Sequence, residues 1–136
     1  MKKEKSCGAV IFKKEDDRYS FLVIHQVQGH YCFPKGHVEK DETELETARR
    51  EIKEETGYDV SFLDGFRYSL QYSPREGVMK DVIYFLAEEN GGNPLVQQEE
   101  LQGMKWMKEE DVLDNITYEN DRDLYRKALA FLKEKA

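Results

Sequence analysis

Apolar and polar positions change period several times along the chain, and each change marks an element. Residues 7–13 (CGAVIFK) and 19–27 (YSFLVIHQV) are rich in β-branched and aromatic side chains and are split by the charged stretch Lys14-Glu15-Asp16-Asp17-Arg18. That pattern predicts a β-hairpin followed by a loop over 28–36. Within 42–56, Leu45, Ala48 and Ile52 recur at helical spacing and Gly57 stands where a left-handed C-cap is wanted, so a helix is expected there. Residues 66–72 and 78–88 read as a second pair of strands around a turn at Pro74 and Gly77. Gly91-Gly92-Asn93-Pro94 opens a loop, 104–107 is a short strand, and 121–133 is a closing helix with Leu124, Ala128, Leu129 and Leu132 inward. Strands and helices mix without regular βαβ alternation, which predicts an α+β layered fold. No repeat, low-complexity tract or linker divides the chain, so one domain over 1–136 is expected.

Composition narrows the function. With 136 residues, 39% apolar and 36% charged, the chain can build one sizeable core. Twenty-one Lys plus Arg against 28 Asp plus Glu give −7, which argues against a protein that blankets a long nucleic acid with cations. A small anionic substrate is compatible if a metal handles its charge. No apolar run approaches the roughly 18 residues of a membrane span. Met-Lys-Lys-Glu-Lys leads into a β-like run rather than a secretory core, so a soluble cytoplasmic protein is expected. Cys7 and Cys32 form neither a disulfide framework nor a metal-binding pair and are expected to be reduced and packed.

Negative charge is concentrated in one segment. Residues 36–59 hold nine acids against four bases, which is −5 of the total −7. Asp41 and Glu44 fit a capping box, so the first acids can be explained by helix initiation. Glu51, Glu54 and Glu55 are different: at about 100° per residue they share a roughly 100° arc of one helix face. Like charges at i,i+4 disfavour a helix, and the C-terminal end disfavours anions. A solvated acidic face paired with Arg50 and Lys53 is the plain alternative. Three converging carboxylates otherwise make an all-oxygen site suited to Mg²⁺ or Mn²⁺, with Arg50, four residues before Glu54, as an orienting partner.

The segment GHVEKDETELETARREIKEETGY, residues 36–58, resembles the Nudix box, G-x5-E-x7-R-E-U-x-E-E-x-G-U with U bulky and apolar. Gly36, Glu42, Arg50, Glu51, Ile52, Glu54, Glu55 and Gly57 fall in place, and Tyr58 stands where an aliphatic is usual. At ordinary residue frequencies the seven fixed identities arise by accident roughly once in 10⁸ to 10⁹ starting positions. The resemblance implies a Nudix-type α/β/α sandwich, a mixed sheet between helices, and Mg²⁺-dependent (or Mn²⁺-dependent) cleavage of a nucleoside diphosphate linked to another group. It implies metal ligation by Glu51, Glu54, Glu55 and the Gly36 carbonyl, with Glu54 or Glu100 as general base.

Beyond the box, CGAVIF, the run Pro34–His37, GFRYSLQY, KDVIYFLAE and Glu100 six residues before Trp106 are similar to the asymmetrical bis(5′-nucleosyl)-tetraphosphatase branch of that family. That likeness implies that Lys35, His37, Tyr72, Lys80 and Tyr118 face a polyphosphate and a nucleobase, and that Glu100 joins the metal from a loop. The expected partner is a nucleotide or dinucleoside polyphosphate, with no long nucleic acid and no membrane. Two other readings stay open: a Nudix enzyme acting on an oxidised dNTP or an RNA 5′ end, and a non-catalytic nucleotide-binding module. An intact Arg50, Glu51, Glu54, Glu55 set argues against the module, which has no need of three repelling carboxylates.

Overall fold

The computed structural model describes residues 2–26, 28–94 and 101–135, and in it the apolar runs become strands of one mixed sheet covered by helices on both faces. The order is β1 (Lys2–Glu15), β2 (Arg18–Gln26), β3 (Tyr31–Cys32), β4 (Lys35–His37), α1 (Glu44–Thr56), β5 (Tyr58–Phe62), β6 (Tyr68–Arg75), β7 (Val78–Gly92), β8 (Leu101–Lys108), α2 (Val112–Asn115) and α3 (Glu119–Lys135). The expected hairpin forms, with β1 and β2 antiparallel from Phe12↔Phe21 to Glu15↔Arg18. On its other side β1 pairs with β7 in parallel, from Lys2↔Val78 to Phe12↔Glu88. β5 and β6 pair antiparallel with β7, and β8 pairs antiparallel with β2.

Side chains alternate across a strand, so a strand covered on both faces must be apolar at consecutive positions. β1 shows this directly. Cys7, Ala9 and Ile11 pack with Ala48 and Ile52 of α1, whereas Val10 and Phe12 pack with Leu124, Tyr125, Ala128 and Leu132 of α3. β7 divides the same way, with Ile83, Phe85 and Ala87 toward α1 and Val82, Tyr84 and Leu86 toward α3. The result is a three-layer α/β/α sandwich in which each fully buried large aliphatic or aromatic side chain contributes about 1.5–3 kcal/mol.

Several local expectations are corrected. The capping box of α1 is Thr43 with Glu46, not Asp41 with Glu44: the Glu46 N–H donates to the Thr43 hydroxyl at 3.1 Å, and the Thr43 N–H donates to the Glu46 carboxylate at 2.8 Å. Asp41 instead takes a left-handed turn (φ 68°), and Glu44 is drawn to Arg67 at 2.9 Å and Lys5 at 2.7 Å. Leu45 is 46% exposed, because it lies in the first turn, ahead of the stretch of helix that Ala48 and Ile52 press onto the sheet. Gly57 does cap the helix, with φ 81° and its N–H bonded to the Lys53 carbonyl. Gly91 and Gly92 continue β7 instead of opening a loop, because Tyr58 of β5 pairs with Gly92. Both cysteines are free and buried. Among the described residues no helix is long and apolar enough to cross a membrane.

Candidate active site

Glu51, Glu54 and Glu55 of α1 grade from core to solvent across one helix face. Glu55 is 8% exposed, the Glu51 side chain 15% and the Glu54 side chain 53%. Arg50 organises the region by placing all five of its N–H groups. Its Nε and Nη2 grip both oxygens of Glu42, at 2.6 and 2.9 Å. Nη1 donates to Glu51 at 2.7 Å and to Glu54 at 3.2 Å, and Nη2 also donates to the His37 carbonyl at 2.9 Å. A planar fork that meets a carboxylate on two bonds fixes geometry as well as charge.

Spacing alone pairs Arg50 with Glu54, but its main partner is Glu42, eight residues earlier. Glu42 also accepts from the Thr47 hydroxyl and the Glu39 N–H. Hydrogen bonds from Arg50, then that from Glu39, hold the Glu42 carboxyl down at about 2. The Arg50 guanidinium is pushed above its usual value by the same Glu42 contact. Glu42 therefore belongs to the site's framework and not merely to the helix start.

Gly36 meets the same helix from the other side. β4 lies antiparallel on β1 with Cys7 opposite Gly36, and a Cβ built at Gly36 would overlap the Glu51 carboxylate. Only glycine lets backbone and carboxylate approach so closely. Glu51 accepts from Arg50 on Oε1 and turns Oε2 toward Gly36. Among the described residues no three His, Cys, Asp or Glu side chains are already gathered as a metal cluster. The donors that stand nearest one another are hard oxygens, the kind that Mg²⁺ and Mn²⁺ take, so the residues fit such an ion in chemistry. Glu100 lies outside the described residues.

A cavity of about 460 Å³ opens between the sheet and the start of α3, lined among others by His30, Cys32, Lys35, Tyr72, Tyr118 and Asp121. Tyr72 and Tyr118 stand 36% and 48% exposed at its wall, and the Tyr118 hydroxyl is 2.8 Å from His30 Nδ1. Lys35 adjoins Gly36, so β4 links the cavity to the carboxylate face. Lys80 stands opposite Tyr72 in the β6–β7 ladder, and burial followed by the nearby Lys35 charge lowers its pKa. Burial chiefly pushes the Cys32 thiol up to about 11, with Asp121 and Glu55 adding to the effect.

The structure therefore gathers Lys35, Tyr72 and Tyr118 around one cavity and sets Lys80 beside it. His37 is exposed and offers its backbone carbonyl to Arg50, and it is absent from the cavity lining. His30 and Asp121 are additions that the sequence reading missed. Asp121 had a signal: it falls on the stripe that continues through Leu124, Ala128 and Leu132, where an acid is out of place. His30 sits in a loop without periodicity and had none.

A NUDIX domain model matches residues 2–128. The asymmetrical bis(5′-nucleosyl)-tetraphosphatase of Rattus norvegicus is 32% identical over 140 residues, covering 94% of this chain and 95% of that protein. The protein of the same name from Caenorhabditis elegans is 33% identical over 133 residues, covering 94% and 96%. A crystal structure of a C. elegans Ap4A hydrolase binary complex superposes with a TM-score of 0.86 at 31% identity, covering 96% of this chain and 98% of that one. With the box residues arranged as described and the likeness running nearly end to end, this chain belongs to the Nudix family and is a Nudix pyrophosphohydrolase.

Proposed function

We propose that the protein hydrolyses diadenosine tetraphosphate or a related dinucleoside polyphosphate asymmetrically, to ATP and AMP. The observation that carries this reading is that consecutive residues of β4 face the two features: Lys35 lines the tyrosine-walled cavity and Gly36 lies against the Glu51 carboxylate of α1. A nucleoside fits against Tyr72 and Tyr118, because aromatic rings stack on any base. Lys35 and Lys80, near enough that, beyond burial, the Lys35 charge lowers the Lys80 pKa, suit the phosphates that follow, as lysine point charges do.

Glu51, Glu54, Glu55, the Gly36 carbonyl and Glu100 would hold Mg²⁺ or Mn²⁺. Such an ion neutralises phosphate charge and makes a bound water more acidic. Phosphoryl-type transfer needs little covalent help from the protein, so the chain's own task is positioning. Arg50 supplies it by tying Glu51 and Glu54 to one nitrogen while Glu42 fixes the guanidinium plane. The proton of the attacking water goes to a carboxylate, Glu54 or Glu100.

The test is chromatography of products after purified protein and Mg²⁺ meet a panel of nucleotides. ATP with AMP from diadenosine tetraphosphate supports the reading. Two ADP, or rapid hydrolysis of an oxidised dNTP with no action on the dinucleotide, moves the protein to another Nudix branch.

A further inference from the structure

Asp121 lines the cavity but has no part in the metal or phosphate contacts proposed above. It lies in the first turn of α3 on the stripe that packs against the sheet, yet it carries a carboxyl there, 8% exposed. Its backbone N–H donates to the Tyr118 carbonyl at 3.1 Å. Its side chain, among the described residues, enters no hydrogen bond or ion pair, and the charge that acts on it is that of Lys35. Its carboxyl is thus an unpartnered acceptor on the cavity wall, and mostly buried polar side chains usually find a partner. The start of α3 favours an anion there through the helix dipole but gives the side chain no donor. Burial raises its pKa, and the Lys35 charge opposes that rise.

A carboxylate is acceptor-only, so the missing partner must offer an N–H or O–H. Phosphate is excluded by charge. The cavity around Asp121 presents the exposed rings of Tyr72 and Tyr118 together with apolar Leu70 and Val82, which suits a flat heterocycle. Lys35, on the same wall, is placed for the phosphate end of such a ligand. Of the parts of a nucleotide, the base both stacks on aromatic rings and carries N–H donors on its edge.

We propose that Asp121 is the base-reading residue of this enzyme, its carboxylate accepting a hydrogen bond from the exocyclic amino group of an adenine seated against Tyr72 and Tyr118. The identity of the base rests on the function proposed above, whereas the pairing of Asp121 with a base amino group rests on the cavity. A base lacking the amino group leaves the carboxylate desolvated and unpaired, and sites built this way reject such analogues strongly.

The test is calorimetric titration, in excess chelator so that nothing is hydrolysed, of ATP and of purine riboside 5′-triphosphate, which lacks only the 6-amino group. The parent should bind ATP at least about tenfold more tightly, as expected for one hydrogen bond to a charged group. In Asp121→Ala the ratio should fall below about threefold, and Asp121→Asn, whose amide oxygen still accepts, should retain part of it. Differences in stacking between the two bases are common to all three proteins and cancel in the comparison. Both variants should melt at or above the parent's temperature, since an unpaired buried charge is removed. Equal binding of the two nucleotides by the parent, an unchanged ratio in Asp121→Ala, or no ATP binding at all would overturn the proposal. Failure to cleave the dinucleotide would refute the proposed function and leave this comparison standing, because it does not depend on turnover.

Discussion

Arg50→Ala removes five donated N–H bonds in one substitution, so its cost can be worked from the contacts. The Glu51 carboxylate it leaves behind is 15% exposed. That places the loss between an exposed ion pair, about 0.2–1 kcal/mol, and a broken buried pair, about 3–5 kcal/mol, so about 2 kcal/mol is expected. For a chain of this length that corresponds to a Tm lower by roughly 6–8 °C. Activity should fall further than stability explains, by about 10- to 100-fold in kcat/KM, because Glu51 and Glu54 lose their common anchor. Arg50→Lys keeps the charge and loses the fork, and should recover little. Arg49→Ala is the control. Arg49 bonds the Val60 carbonyl at 2.9 Å and lies over the Phe62 ring at 4.9 Å, so its loss should lower Tm and leave turnover close to the parent's. Scanning fluorimetry and Mg²⁺-saturated kinetics measure both quantities. Equal activity losses from the two alanine variants, or a fully active Arg50→Lys, would show that the forked contacts of Arg50 do not position the carboxylates.

Glu55→Gln keeps the shape of a side chain 8% exposed and removes its charge, so turnover should fall by about 10²-fold or more with Tm unchanged or slightly higher, and excess chelator should abolish the parent's activity. Gly36→Ala forces a methyl into the Glu51 carboxylate and should lower stability by about 1–3 kcal/mol together with activity, read by the same two assays. Acid should act through Glu42. Its folded pKa, about 2, lies below the ordinary 4.5, so the stability it contributes is complete above about pH 4.5 and is lost as pH falls toward 2. Tm followed from pH 7 to acid should therefore drop more in the parent than in Glu42→Gln, and parallel curves would contradict the assignment.

The long elements were legible because burial on two faces or on one stripe leaves its period in the sequence. β1, β7, α1 and α3 all carry it, and Gly57 marks an end that a left-handed residue must make. Competing local signals misled at the start of α1. Asp41 with Glu44 and Thr43 with Glu46 both fit a capping box, and tertiary partners decide between them: Arg67 and Lys5 take Glu44 away. β3 and β4, two and three residues long, are too short to show any period. The five-residue β5 and the single-turn α2 passed unnoticed for a similar reason.

The carboxylate face of α1 was readable because its members lie on one helix. The framework around it was not, since the main partner of Arg50 lies before the helix begins. The cavity draws on β2, β3, β4, β6, β7 and the start of α3, residues that meet only after folding. Tyr72, Lys80 and Tyr118 were therefore reached by resemblance, and Asp121 by the structure alone.

Hydrolysis of diadenosine tetraphosphate in ¹⁸O-labelled water, with the products separated and weighed by mass spectrometry, shows which phosphorus the water attacks. Water that attacks the phosphorus next to one adenosine, with the other phosphates gripped beside Lys35 and Lys80, leaves the label in AMP and none in ATP. Label in ATP, or two ADP as the main product, would contradict an asymmetric cut at the phosphorus next to adenosine.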